Sequence, residues 1–579
     1  MASFMRSTVM IGASRAFLCV LGPAAGAQDW VDLGDEGRAL YVSVRMELPK
    51  RGEACGLSLA TASGLPRVSM GVDAEGRYRL WLYRHAVFGN RCTSGSTVLL
   101  ALRILSHSEK PDDARLAVFP AADGLPETEP AAWTLVNRRG ASDANLASLI
   151  ATPAAAMERM SEVRVGNDWT QIRTGDTLDH RLRPGPPAPD LSPPHPVTNP
   201  ESALMLNLPG IGTDVIAIDC ARLPRVPAEH AVISDVRDRG GQWVHQHAYL
   251  AYCGGRYWAM WSDGPGMPRP NVTPERHRNI VPGHDQAGTR VSSATSTDGL
   301  VWSMPGDLSG PPRIDGFGWI ARGFWVRDGQ LLALASHFRA PGYPGKGLSL
   351  EAFRWDQATG RWTAHGTVLE DTLNNFPPKK LPNGKWMMSR RDHKRDLSVA
   401  VGGVNAFNDW EVSPVSAYGV DKGTRPEEPC WYALPDGRNL VGLFRNNAGK
   451  RLIRAFSTDR GQTWTRLVKT NFPDATSKFF ALRTSHGYYV LVSNSNPYRR
   501  DPLTLAVSRN GLVYEHLFFL IGGRHVDYPH IIEQDGNLMI AFSGAKQTME
   551  VLNVSLTDLD RLIATDQPER SEGHAGKGE

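Results

Sequence analysis

Histidines, arginines, a glutamate and a tyrosine recur at matching places in the second half of the chain, each just before or just after a glycine flanked by apolar runs. His245 and His247 precede Gly255, His337 and Arg339 follow Gly329, and Arg390, Arg391 and His393 follow Gly384. Glu428 and Arg445 flank Gly437, Arg499 and Arg500 follow Gly487, and Tyr528 and His530 precede Gly536. Arginine suits an anionic ligand, because its planar guanidinium holds a carboxylate through two charge-assisted hydrogen bonds. Histidine, glutamate and tyrosine supply groups that give or take protons. His245 and His247 alternate along an apolar run and are expected on one face of a strand. They fit a catalytic or sugar-binding pair, a metal site or buried structural histidines; with no third ligand nearby, metal is the weakest of the three.

The elements that must position these residues follow from a repeat. An apolar strand, a glycine turn and a second apolar strand recur at Tyr249 to Met260, Gly323 to Ala335, Lys379 to Ser389, Trp431 to Phe444, Ala481 to Ser493 and Ile531 to Ser543. The last four intervals are each about 50 residues, the length of a four-stranded propeller blade. Six units predict a six-bladed β-propeller, in which loops at one mouth of the central axis gather residues from different blades. Ser457-Thr458-Asp459-Arg460-Gly461-Gln462-Thr463-Trp464 and the shorter runs beginning at Ser296 and Ser508 share a further pattern. Its acid or amide is expected to tie a turn, its glycine to take a backbone angle other residues resist, and its aromatic to pack between blades. Asp298 and Asp459 are therefore assigned to stability rather than catalysis.

Ahead of the repeat, strands are expected at Ala39 to Met46, Tyr78 to Tyr83, Ser96 to Leu105 and Ala114 to Phe119, giving a small β-sandwich. Eight prolines between Arg183 and Pro200 predict an extended, semi-rigid linker. Arg6 and Arg15, the apolar run from Ala16 to Leu21 and Ala25-Gly26-Ala27 read as an export leader. The organisation expected is thus a signal peptide at 1–27, a sandwich at 28–182, a linker at 183–200, a propeller at 201–563 and a disordered tail at 564–579, in a secreted or periplasmic protein. The chain has 579 residues, 64 Lys and Arg against 60 Asp and Glu, and 41% hydrophobic residues, which excludes bulk disorder and a generic polyanion binder. No apolar stretch approaches a membrane span. Cys55 and Cys92 fit either a disulfide or buried thiols, and no cysteine pair has metal spacing. No phosphate loop or serine nucleophile elbow is present.

With the three S-x-D-x-G-x-x-W-like runs in place, the chain from Val232 to Leu556 resembles the exo-sialidase superfamily, whose Asp-box they match. The resemblance extends to Glu428 nine residues before Gly437, Arg445 at the end of the next strand, Arg500 ahead of an apolar strand and Asp-box with Arg499 one residue away, and Tyr528 before the last hairpin. It implies that Tyr528, activated by Glu428, is a nucleophile. A sialoside carries a carboxylate at its anomeric carbon, so a neutral phenol approaches where a carboxylate would be repelled. Arg445 and Arg500 would bind that carboxylate. An aspartate on a loop after the first blade would be the general acid, with Asp285 favoured over Asp263. The stretch Ser161 to Trp169 is similar to the closing strand of concanavalin-A-like jelly rolls, here read as a spacer more than a glycan binder. One departure stands out: Val244-His245-Gln246-His247 replaces the family's R-I-P triplet, so the third carboxylate-binding arginine is absent or supplied by Arg390 or Arg391.

The function expected is an exo-acting glycoside hydrolase that removes a terminal acidic sugar such as sialic acid, with no cofactor and no metal. A propeller hydrolase or lyase acting on uronate-containing glycans through histidine, tyrosine and arginine is the main rival. A non-catalytic glycan-binding protein is the third reading. Glycan is the expected partner in each, without nucleic acid or a membrane span.

Overall fold

The computed structural model describes residues 31–566 apart from 33–36, 61–65, 83–84, 108–111, 139–144, 147, 176–181, 185–188, 210–211, 214–217, 238–242, 267–284, 343–346 and 421–423. The expected leader lies outside the described residues. The chain divides into two compact units at Ala188 and Pro189, and among the described residues no helix is long and apolar enough to cross a membrane.

The first unit has a five-stranded and a six-stranded antiparallel-rich sheet that share one core. Alternation along Ala39–Glu47 explains the layering: Leu40, Val42, Val44 and Met46 enter the core between the sheets, while Tyr41 turns to the other side against Trp169 and Ile172. The last strand of the five-stranded sheet is Met160–Gly166, shorter than the expected Ser161 to Trp169. Asp168 ends the extended run because its carboxylate accepts from the Gln171 amide at 2.9 Å and caps a short helix, Trp169–Thr174. The linker also departs from expectation. Leu182–Pro184 pairs in parallel with Ser148–Thr152 at the sheet edge, where proline is tolerated, and 195–199 form a turn closed by reciprocal His195 and Asn199 backbone bonds. Cys55 is buried in the core, and neither it nor Cys92 is in a disulfide; burial pushes the Cys55 thiol up to about 11.

In the second unit the described residues form six four-stranded antiparallel sheets, numbered here from the chain's N-terminal side. Sheet 1 is Trp243–Cys253, Arg256–Pro265, Arg290–Ser296 and Gly306–Asp307. Sheets 2 to 5 open with Phe317–Arg327, Lys379–Lys380, Pro426–Ala433 and Phe480–Arg483. Sheet 6 takes Val526–Gln534, Asn537–Gly544 and Thr548–Ser555 from the chain's end and a fourth strand, Glu229–Asp235, from the start of the unit. Every glycine of the repeat lies in the turn between the first two strands of its sheet. The helix Leu556–Thr565 follows, so the first residues of the expected tail are ordered.

Apolar clusters join the sheets in succession. Tyr249 and Met260 meet Trp319 and Phe353 between sheets 1 and 2, Trp325 and Leu350 meet Met388 between sheets 2 and 3, and Met387 meets Trp431 between sheets 3 and 4. A larger core joins sheets 4, 5 and 6, and Leu250 meets Met539 and Val551 between sheets 1 and 6. The arrangement is propeller-like.

Candidate functional site

Four opening strands carry the same irregularity. Register shifts fall between Gln246 and Tyr249 in sheet 1, Ala321 and Gly323 in sheet 2, Glu427 and Cys430 in sheet 4, and Asp527 and His530 in sheet 6. His247, Glu428 and Tyr528 sit in these bulges with left-handed φ of 61°, 47° and 59°. A bulge re-aims the side chain it displaces, and a non-glycine residue holds this angle only where its surroundings enforce it.

The bulged residues of sheets 4 and 6 are brought together by Arg445. Its Nη1 donates to Glu428 Oε2 at 2.8 Å and to Tyr528 Oη at 3.2 Å. All three are largely buried. Burial alone would raise the Glu428 pKa, but Arg445, Lys478 and Arg500 hold it below the usual value. Burial, reinforced by the Glu428 charge, raises that of Tyr528. At neutral pH the pair is therefore a carboxylate beside a protonated phenol.

Arg500 places its guanidinium 5.3 Å from the centre of the Tyr528 ring and is anchored by Asp527 Oδ2 at 2.7 Å and Thr476 O at 2.6 Å. Asp527 is kept ionised despite its burial by His525, at 3.0 Å, and Arg500. Its neighbour in sequence, Arg499, is exposed, so of the two candidates Arg500 is the one brought into the cluster.

The bulge at His247 corrects the expectation that the two histidines share a face. His245 is fully buried, 3.3 Å from Asp263 and against Trp261. His247 Nδ1 lies 3.2 Å from Ser262 Oγ, on the side opposite Trp261 and Asp263, and its ring centre is 5.2 Å from that of Tyr528. Only His247 of the pair contacts the tyrosine. Asp263 is also tied to Ser292 Oγ at 3.0 Å. Asp285 follows the stretch 267–284; its charge bears on Lys546, as do those of Asp527, Arg500 and Arg445.

The remaining candidates are engaged elsewhere. Arg390 donates to Asp371 O at 2.9 Å and to Thr372 and Ser398, and Arg391 pairs with Glu427 at 2.6 Å. His337 is sandwiched between Phe317 and Trp319 in sheet 2, where burial lowers its pKa. His530 accepts from the Leu250 amide and packs edge-on against Tyr249 and tilted against Phe480. No cluster able to hold a metal occurs among the described residues.

Beneath the site lies a layer that the repeat did not single out. Lys478 Nζ donates to Tyr249 Oη at 2.6 Å, and Tyr249 Oη donates to Asn375 O at 2.7 Å, with Arg322 Nη1 3.2 Å from Asn375 Oδ1. Burial lowers the Lys478 pKa although Glu428 opposes it. Lys478 stands two residues before the sheet 5 hairpin and Asp527 directly before Tyr528, so position relative to the glycine turn could have found both; Arg322 and Tyr249 are masked by apolar neighbours.

The Asp-box turns have the expected structural bonds. Asp459 accepts from the Thr463 amide at 2.9 Å and hydroxyl at 2.6 Å, the Gly461 amide donates to Ser457 Oγ at 2.8 Å, and Trp464 packs between sheets 3 and 4. Asp298 and Asn510 tie their turns in the same way.

A family model described as a BNR repeat-like domain matches residues 278–540. The chain resembles the exo-sialidase superfamily. Among solved structures, an unknown function protein from Dyadobacter fermentans aligns at 15% identity over 57% of this chain and 100% of its own, with a TM-score of 0.44. A Trypanosoma rangeli sialidase mutant displaying trans-sialidase activity aligns at 14% identity and a TM-score of 0.41, and the chain spans 59% of that sialidase's length, with 59% of this chain covered. A leech intramolecular trans-sialidase aligns at 10% identity over 92% of this chain and 95% of its own, with a TM-score of 0.44. No protein of curated function matches. Glu428, Arg445, Arg500 and Tyr528, the positions on which the sequence resemblance rests, are the four that meet here.

Proposed function

We propose that the six sheets close into a β-propeller carrying an exo-acting, sialidase-like glycoside hydrolase that removes a terminal acidic sugar. Closure is supported by the apolar clusters between successive sheets and by Glu229–Asp235 pairing with Thr548–Ser555, which joins the unit's start to its end. The observation that carries the function is Arg445 bonded at once to Glu428 and Tyr528. In this reading Arg445 and Arg500 bind the sugar carboxylate. Its approach draws Arg445 toward the ligand, Glu428 accepts the phenol proton, and the Tyr528 oxygen bonds to the anomeric carbon as the leaving oxygen takes a proton from Asp285. Water then cleaves the tyrosyl sugar, with Asp285 as base, and the anomeric configuration is retained. The apolar run ahead of Ala25-Gly26-Ala27 supports export of the enzyme.

Tyr528→Phe should abolish release of 4-methylumbelliferone from its sialoside while leaving the thermal midpoint within a few degrees. Unchanged turnover would sink the assignment.

His247 against the Tyr528 ring favours one second reading, a uronate-specific hydrolase or lyase with histidine and tyrosine as proton carriers. A rise in ultraviolet absorbance from an unsaturated uronyl product would select the lyase form.

A further inference from the structure

The turn between the second and third strands of sheet 6 is held in a conformation its residues resist. Ala545 and Lys546 have φ of 49° and 58°, and the Gln547 amide donates to Gly544 O at 2.9 Å across them. Two successive left-handed residues make the tight hairpin turn for which Asn-Gly is the ordinary choice, and here neither is glycine or asparagine.

The turn lies at the end of sheet 6 that carries Tyr528, since Val526 pairs with Gly544. The Ala545 amide donates to His525 O at 2.8 Å, and Lys546 O accepts from the His245 amide at 2.8 Å. The second bond fixes Lys546 against the start of sheet 1, the place where histidine stands instead of the family's arginine. Lys546 is 4% exposed, and its ammonium has no hydrogen-bond or ion-pair partner among the described residues. The charges that bear on it are Asp527, Arg500, Arg445 and Asp285. Asp527 is already bonded to Arg500 and His525. A buried cation that feels the charge of two arginines and has no anion of its own is costly for the fold, and it is a prepared partner for an incoming anion.

We propose that Lys546 is the third cation of the anion site, binding the carboxylate of an acidic sugar together with Arg445 and Arg500. The inference rests on the acidic-sugar reading of the site. It assigns the role expected of a third arginine to a lysine from the neighbouring sheet, at a position outside the hairpin pattern. Burial brings this ammonium down to about 8, so Lys546 adds its charge to the two arginines below that pH and loses it above.

The test is calorimetric binding of 2-deoxy-2,3-didehydro-N-acetylneuraminic acid, and of its uncharged methyl ester, to the full chain between pH 6 and 9.5. The acid should bind, and above pH 8 its Kd should rise by up to about tenfold per pH unit, the limit set by loss of one proton; the ester should show no such rise. Lys546→Gln should weaken the acid about tenfold or more at pH 7 and flatten its pH dependence, with thermal melting as the folding control. Acid binding that Lys546→Gln leaves intact, or that the unsubstituted chain shows flat across pH 8, overturns the inference and leaves the parent reading standing. Failure of the unsubstituted chain to bind the acid at any pH overturns both.

Discussion

Arg445 holds a carboxylate and a phenol oxygen with one nitrogen, and that arrangement defines the resting state of the site: Glu428 ionised, Tyr528 protonated, and one guanidinium bridging the two. Arg500 is held differently, by a fully buried Asp527. Asp527→Asn leaves that arginine buried and uncompensated, so it should cost about 3–5 kcal/mol in urea unfolding. A loss under 1 kcal/mol would show that the pair does not hold Arg500. Lys546 gives a stability signature as well. Its pKa is about 8 in the folded chain against 10.5 ordinarily, so the folded state binds fewer protons between these values and stability rises with pH across them. The penalty is complete below pH 8 and amounts to about 3 kcal/mol. Lys546→Gln should remove this slope between pH 8 and 10, as read by urea unfolding of both proteins. Glu428, Arg445, Arg500 and Tyr528 were legible in the sequence because each keeps a fixed distance from a glycine turn. Lys546 was not, because it lies on the opposite turn of its sheet and nothing local marks a lysine as buried.

At the scale of elements, the hairpin repeat placed the first two strands of every sheet, but the bulges were invisible to it. Strict alternation put His245 and His247 on one face; the extra residue at 247 turned that side chain toward Ser262 and Tyr528. Backbone strain of this kind is paid by tertiary packing, which no local pattern reports. The Asp-box, in contrast, is local and was readable in full. Asp459→Ala removes the bonds to Thr463 and should cost about 1–3 kcal/mol in urea unfolding, with kcat/KM unchanged. A fall in kcat/KM with stability preserved would move Asp459 into the chemistry. Gly461→Ala should be at least as damaging, since φ is +92° and the added carbon would lie 2.5 Å from Met387 Sδ.

At the scale of the molecule, the near balance of 64 basic and 60 acidic residues conceals a local concentration of Arg445 and Arg500 around one buried tyrosine. That gathering depends on sheet 6, which supplies Tyr528 and Lys546 and is completed by a strand from the other end of the unit. If the ring is closed there, amides of Glu229–Asp235 should exchange hydrogen as slowly as those of Thr548–Ser555, both at the rate of global unfolding. Fast exchange of Glu229–Asp235 alone would mean an open arrangement. The β-rich composition and the turn spacing made the six sheets of the second unit legible; the pairing of strands distant in sequence is visible only in the folded chain. The central proposal is that Tyr528 is a nucleophile, and trapping with 3-fluorosialosyl fluoride followed by peptide mass mapping tests it most directly. The account predicts one fluorosialosyl group on Tyr528, absent in Tyr528→Phe; an adduct on another residue, or turnover of the reagent by Tyr528→Phe, would contradict it.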